Sequence, residues 1–558
     1  MPEKEHFLSP LEYERFWTHD ELIAHLVAIA DAAPDFVELV HIGASREHRS
    51  IPVCIVTDRA TGGHGVKPGL WLDGGIHAPE LFSTIACVRT LTLLLERRSE
   101  KRIAELLRQR SLYFCPRLNP DGAEASVLAG VMDRMPETRG PGLRPQDLTN
   151  DGRVLLMRVK DPAGAWTTDA SDARLMRRRG PAEANGVFYH LYEEGLVEEY
   201  DGFTVHPEVT GTADLNRNFP GNWLPESAQR GAGAAPASEP EVRAMCDFLI
   251  KQNNICCVLS GHTFSGVLLG PPTAKPLDSI PASDEQLFRL IGETGEALTG
   301  YPWMPVFGHF QYERDRGVHG ASDWAYEARG MLWQTIEYWA PHRSAGISHI
   351  QDYLGWIFDH GIEDEKTLLA WNDRVLNGQG FAEWQVFEHP QLGKVEIGGW
   401  DRLNVLYNPP VGHRLKEAET CFEWIVWLAQ IMPNLEIIRV ETTRLGADLW
   451  RVRATIQNAG FLPTNVSERA LENNVVSDVT AIISPVSGAA SIVNEARVSL
   501  GQLSGRLGNP MTPTYGSDSD THKTAAQWHV TGPPGTRLRL TVSGDRAGHA
   551  ETVFQLSE

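Results

Sequence analysis

A histidine and a glutamate three positions apart, in His77-Ala-Pro-Glu80, follow directly on the apolar run GLWLDGG. A short apolar run closed by two glycines reads as a strand that stops, and Pro79 suits the first turn of a following helix. Across such a turn an imidazole nitrogen and a carboxylate oxygen can converge on one metal ion. Alone the pair is weak evidence, because a His and a Glu this close are more often a solvated pair. His262, in VLSGHTFSG, stands just past a second apolar strand. Two imidazoles and one carboxylate form the ligand set of a catalytic zinc that keeps a fourth position for water; a lone strand-end histidine is the commoner case. Glu337, in LWQTIEYW, is a carboxylate inside an apolar strand, costly to bury without a partner or a task. Beside an activated water it can act as general base; a buried ion pair is the plainer alternative. Asn216 and Arg217, in DLNRNFP, set an amide beside a guanidinium, a fork shaped to grip a carboxylate.

The elements that must position these groups alternate. LEYERFWTHDELIAHLVAIADAAP has helical spacing, FVELVHIGAS and SIPVCIVTD read as strands, and LFSTIACVRTLTLLLERR as a mostly buried helix. SLYFCPRLNPDG reads as a strand stopped by an Asn-Pro-Asp-Gly turn, EPEVRAMCDFLIKQ as a helix and NICCVLSGH as a strand. This alternation predicts an α/β domain with a mostly parallel sheet, whose carboxyl edge is where such folds collect ligands. Residues 123–212 are rich in Gly, Pro, Arg and Asp and are expected to leave the sheet as a long excursion ordered by turns. From residue 435 onward apolar and polar residues alternate between closely spaced turn residues, which predicts a β-sandwich over 435–558 after a first domain over 1–434. Bracing of the first domain, or assembly between subunits, is the expected role of the sandwich.

A chain of 558 residues suits two or three domains, and a formal charge of −21 argues against a general nucleic-acid binder. The basic run Arg177-Arg178-Arg179 reads as a solvated loop. No uninterrupted apolar stretch is long enough to span a membrane, and the first residues, MPEKEHFLSPLEYERFW, lack the apolar segment of a secretory signal. Seven cysteines without a Cys-x-x-Cys pair read as small buried hydrophobes in a reducing compartment, so the expectation is a cytoplasmic protein.

The ordered blocks GGIHAPE, PRLNPDG, DLNRNFPGNW, LSGHTFSG, GASDWAYEARG and TIEYW resemble the carboxypeptidase A-like zinc metallopeptidases over roughly residues 15–430. The insert, with GLRPQDLTNDGRVLLMRVKDPAGAW, and the C-terminal sandwich look like a bacterial branch of that family. The resemblance implies a mixed sheet flanked by helices, with Zn2+ held by His77, Glu80 and His262 and with Glu337 as general base. It gives the substrate's terminal carboxylate to Asn216 and Arg217, which implies hydrolysis of the last amide bond of a peptide.

The departures from the pattern are informative. Ala78 and Pro79 stand where well-known members carry an arginine between the metal-binding His and Glu. Arg134, Arg139 and Arg144 compete for the arginine that polarises the scissile carbonyl, with Arg139 taken first. The substrate-capping tyrosine's position holds Asp315, with Tyr312 nearby. Ser322 takes the place that often sets side-chain preference, and its small hydroxyl leaves specificity open. Asp147-Leu-Thr-Asn-Asp151-Gly152 has half the pattern of a calcium loop, but Arg158 at the twelfth position points to a turn held by Asx hydrogen bonds. Two other readings stay open. One is an amidohydrolase of the same fold acting on an N-acyl amino acid, a glutamyl side chain or a cell-wall peptide. The other is a non-catalytic binding module. The expected partners are a peptide or acyl-amino-acid carboxylate and a second copy of the chain, with neither nucleic acid nor membrane.

Overall fold

The computed structural model describes residues 11–130, 132, 142–206, 213–311, 317–487, 489–508 and 520–557. Eight strands build its central sheet: β1 (Val37–Ala44), β2 (Ser50–Val56), β3 (Gly69–Gly74), β4 (Ser111–Cys115), β5 (Ile255–Thr263), β6 (Val267–Gly270), β7 (Trp303–Pro305) and β8 (Leu332–Tyr338). They lie in the order β1-β2-β4-β3-β5-β8-β6-β7. The four central strands β4, β3, β5 and β8 are mutually parallel, whereas β1, β2 and β6 bring in antiparallel pairs. Strands β3 and β5 are buried at every position, which is why they read as continuous apolar runs: parallel strands are covered on both faces. The helix α1 (Leu81–Glu96) is buried everywhere except at Arg89 and Glu96, so its sequence is apolar around its whole circumference. One hydrophobic core joins sheet and helices, from Trp17 and Leu26 through Trp71 and Phe114 to Trp424 and Val466.

Two local expectations need correction. Pro79 precedes α1 rather than occupying its first turn, and Glu80 stands at the N-cap position. Asn-Pro-Asp-Gly at 119–122 is not a turn but a helix start. The Asn119 side chain accepts a hydrogen bond from the Gly122 N–H, and Pro120 opens the helix Pro120–Ala129 where its missing N–H is not needed.

The insert is more ordered than turns alone. Leu156–Lys160, Trp166–Thr168, Met176–Arg178 and Tyr189–Glu193 join Phe381–His389 and Gly393–Trp400 in a separate six-stranded sheet. The strands are short and charged, and the sheet is completed by strands far along the chain, so no local pattern marked them. Arg158 ion-pairs with Glu396 across this sheet at 2.6 Å. Nearby, Asp147 accepts hydrogen bonds from the Gly152 and Asp151 N–H groups at 2.8 and 3.3 Å. The fully buried Glu194 takes the N–H groups of Leu148, Thr149 and Leu155. The 147–152 loop is thus held by Asx and carboxylate–backbone bonds.

Beyond residue 434 two four-stranded antiparallel sheets face each other around Trp450, Val452, Trp528 and Leu540. This unit grips residues 327–330, where the segment Asp323–Ala328 of the first domain ends. The Arg546 guanidinium, buried, donates to the Gly330 and Arg329 carbonyls at 2.7 and 2.5 Å. Ser467 Oγ donates to the same Gly330 carbonyl at 2.7 Å, and Asn473 Nδ2 donates to the Glu327 carbonyl at 2.6 Å. Gly330 (φ +59°) has no room for a side chain, since a Cβ there would fall 2.5 Å from the Ala470 backbone. Replacing Arg546 by Met strips two buried carbonyls of a charged donor. The expected cost is about 2–4 kcal/mol of stability, read from the urea unfolding midpoint, with Lys restoring part of it. A midpoint that does not move would show that this grip carries no load.

Candidate functional site

The site is assembled at the carboxyl edge of β3, β5 and β8. After β3, Gly75 (φ +63°) reverses the chain, and Ser83 Oγ ties the turn by accepting the Gly75 N–H and donating to the Glu80 carbonyl, both at 2.7 Å. Asn408, fully buried, clasps the same turn from outside, accepting the Phe82 N–H at 2.9 Å and donating to the Pro79 carbonyl at 2.8 Å. His77 and Glu80 therefore project from a locked turn. On β5, His262 stands opposite Glu337 of β8 in parallel register, so the sheet itself sets their spacing.

The three sequence-predicted ligands converge. His77 Nδ1 lies 2.7 Å from Glu80 Oε1, His262 Nδ1 lies 2.9 Å from Glu80 Oε2, and the two Nδ1 atoms are 3.2 Å apart. All three side chains are buried, and their donor atoms fall within 4.8 Å of one another. Ligand atoms bound at about 2.0–2.1 Å to a tetrahedral zinc stand about 3.3 Å apart, so the set fits that ion. Two nitrogen lone pairs cannot face each other at this separation unless a proton or a cation lies between them.

Further residues aim the imidazoles. His77 Nε2 meets Asp214 Oδ1 at 3.1 Å, and His262 Nε2 meets Ser260 Oγ at 3.3 Å. Ser260 donates in turn to Asp73 at 2.7 Å, and Asp73 also receives the Trp71 indole N–H at 2.8 Å. Such partners hold the other ring nitrogen toward the ion. Burial lifts the Asp73 carboxyl to about 6 despite these bonds. Burial likewise opposes charge on Glu80 and His262, yet their mutual attraction prevails: the imidazoles hold Glu80 well below the usual carboxylate range, and Glu80 draws His262 up to about 9. Asp214, Ser260 and Asp73 were not singled out in the sequence. The available signals were an Asp two residues ahead of Asn216 and an acid closing an apolar strand.

Asp214 does double duty. It caps the 3-10 turn Leu215–Arg217, its Oδ1 accepting the Asn216 N–H at 2.8 Å. Asn216 Oδ1 accepts the Ala321 N–H at 3.1 Å, and a Cβ on Gly320 would sit 2.3 Å from the Asn216 carbonyl oxygen, so the two segments pack backbone to backbone. Asn216, Arg217, Ser322 and Glu337 all border one cleft together with the three metal-directed groups. Ser322 is fixed there by its neighbour Asp323, which accepts the Thr273 hydroxyl at 2.5 Å and the Gly320 N–H at 3.1 Å. Of the three candidate arginines, Arg144 ion-pairs with Glu198 along the Gly142–Pro145 strand and does not border the cleft. Arg134, Arg139, Tyr312 and Asp315 lie outside the described residues.

A buried His-Glu-His triad at the carboxyl edge of a mixed sheet, with a further carboxylate and an Asn-Arg pair in the same cleft, has the form of a metallohydrolase site. The zinc carboxypeptidase family model matches residues 22–346, and the chain belongs to that family. A model of a domain of unknown function matches residues 434–555. Carboxypeptidase B2 of Rattus norvegicus is 24% identical over 336 residues, 58% of this chain and 63% of the relative. Carboxypeptidase A4 of Mus musculus is 24% identical over 360 residues, 60% of this chain and 70% of the relative. The chain thus spans less than two thirds of the rat carboxypeptidase B2 that it matches. Among solved structures, carboxypeptidase A from Helicoverpa armigera aligns at a TM-score of 0.41 with 18% identity, covering 66% of this chain and 76% of that one.

Replacing Asp214 by Ala should weaken zinc binding about 10- to 100-fold, read by competition against a chromogenic chelator. An unchanged affinity would remove Asp214 from the support of His77.

Proposed function

We propose that His77, Glu80 and His262 hold the zinc ion and that the protein removes the last residue of peptides whose C-terminal side chain is apolar. One observation carries this reading: the donor triad, Glu337 and the Asn216–Arg217 pair all face one cleft. Zinc bound at such a triad supplies Lewis-acid polarisation and acidifies water. Glu337, one strand from His262, takes the proton of the attacking water and delivers it to the leaving nitrogen. Arg217 and Asn216 grip the terminal carboxylate, which limits cleavage to the last amide bond. Arg139, assigned on sequence alone, steadies the oxyanion as it develops; the engagement of Arg144 with Glu198 counts against that alternative.

Ser322 brings a small uncharged hydroxyl to the cleft. Leu269, Val306, Phe310, Val318 and Trp333 also border the cleft, and the charged groups among its described lining residues, Glu80, Arg217 and Glu337, already have tasks in this reading. The seven cysteines are all unpaired and buried, which supports work in a reducing compartment such as the cytoplasm. Among the described residues no helix is long and apolar enough to cross a membrane.

Blocked dipeptides ending in Phe, Leu, Lys or Glu test the substrate class, with Phe and Leu expected to be cleaved fastest and their C-terminal amides left intact. Glu337→Gln should retain one zinc per chain and lose about 10²–10⁴-fold in kcat. Turnover at the wild-type rate in that variant, or equal cleavage of the amidated peptide, contradicts the assignment.

A further inference from the structure

The residues that follow Ser322 fold in an uncommon way. Over Asp323–Ala328 the chain makes a wide helical turn, in which the Arg329 N–H donates to the Trp324 carbonyl, five residues back, at 3.2 Å. Turns of this width are rare, occur mostly singly and are frequent at functional sites. This one joins two parts of the cleft. Ser322 stands just before it, and β8, with Trp333, Thr335 and Glu337 on the cleft, starts soon after it.

The turn is held from two sides. In front it is pressed against the loop that follows Asn216, since a Cβ on Gly221 would fall 2.5 Å from the Trp324 Cα. Behind it lies Asp284, a buried carboxylate on the helix Ala282–Thr299 that does not border the cleft. Asp284 Oδ2 accepts the Tyr326 hydroxyl at 2.8 Å and the Arg469 N–H at 3.0 Å, and Oδ1 accepts the Glu468 N–H at 2.7 Å. Glu468 and Arg469 open the short helix Glu468–Glu472 of the C-terminal unit. The Tyr326 ring stands edge-on to Phe288 of the Asp284 helix, with centroids 4.9 Å apart. A buried carboxylate is costly unless its lone pairs are filled, so these three donors are drawn to fixed places around one side chain. Strand β8 is secured differently, by ladders with β5 on one side and β6 on the other, which fix Glu337 independently of the turn. Ser322 lies outside those ladders.

We infer that Asp284 is a positioning residue for substrate binding: through Tyr326 it sets the Ser322 side of the cleft, and through Glu468 and Arg469 it makes the C-terminal unit part of that setting. The inference rests on the carboxypeptidase reading for what the cleft receives. It goes beyond that reading by giving a recognition role to a residue outside the cleft and to the unit that follows residue 434.

The test uses the zinc-loaded full-length protein and a blocked dipeptide ending in Phe. Tyr326→Phe removes one hydroxyl and keeps the ring; Asp284→Asn keeps the shape of the side chain and removes its charge. Each should raise KM about tenfold and leave kcat and zinc content within about twofold of the wild type. The double variant should be no worse than the more affected single one, because both act along one path. KM does not depend on how much of a sample is folded, so lost stability alone lowers the apparent kcat and leaves KM where it was. An unmoved KM in either single variant, a fall in kcat larger than the rise in KM, or effects on KM that multiply in the double variant overturns the inference while the carboxypeptidase reading stands. If the wild type does not cleave the peptide, calorimetric binding of that peptide to the same proteins decides. Binding about tenfold weaker in each variant keeps the positioning role and discards the peptidase reading; no binding, or equal binding by all the proteins, overturns the inference as well.

Discussion

Two imidazole nitrogens held 3.2 Å apart, with one carboxylate oxygen turned to each, cannot rest in a buried site without a positive charge among them. This constraint orders the rest of the molecule. The parallel register of β5 with β8 places His262 and Glu337 side by side, and β3 delivers the His77–Glu80 turn from the other flank. Ser83 and Asn408 then hold that turn through backbone bonds. Each of these bonds is ordinary. Together they bring three polar side chains into a position that desolvation opposes, a cost that the attraction between Glu80 and the imidazoles offsets.

The support is shared between the metal-directed groups and the groups that face substrate. One oxygen of Asp214 meets His77 and also caps the turn carrying Asn216 and Arg217. Asn216 reaches on to the backbone beside Ser322. A displacement at any of these points is felt at the others, because they are linked by short hydrogen bonds and by glycines with no space for a side chain. The C-terminal sandwich acts at the far end of the same chain of contacts. Arg546, Ser467 and Asn473 fasten the Asp323–Ala328 segment at its end remote from the cleft.

The cleft is composite. The edge that carries the triad comes from the region that the family model matches, while the helix Tyr353–Asp359 and Tyr407 come from later in the chain. Residues 347–413 also contribute the two strands that complete the insert's six-stranded sheet. The triad therefore lies inside the family-matched region, and part of the cleft's apolar wall lies outside it.

His77, Glu80, His262, Glu337 and the Asn216–Arg217 pair stood out in the linear chain because each sits in or beside an apolar run or in a turn, where a polar residue has to be explained. The central strands were legible for the same reason: burial on both faces leaves an unbroken apolar signature. Pro79 stands ahead of the helix rather than in its first turn, and the helix start at Asn119 read as a turn, since the same residue types serve turns and helix caps. The insert's sheet was hidden because a strand of three to five residues has too little period to detect, and one partner of Leu156–Lys160, the strand Gly393–Trp400, lies far along the chain. Asp214, Ser260 and Asp73 became meaningful only in space, as did the apolar wall around Ser322. Residue type determined which groups could do chemistry; which nitrogen faces inward, and which side chains close the cleft, depended on contacts between segments that the linear order keeps apart.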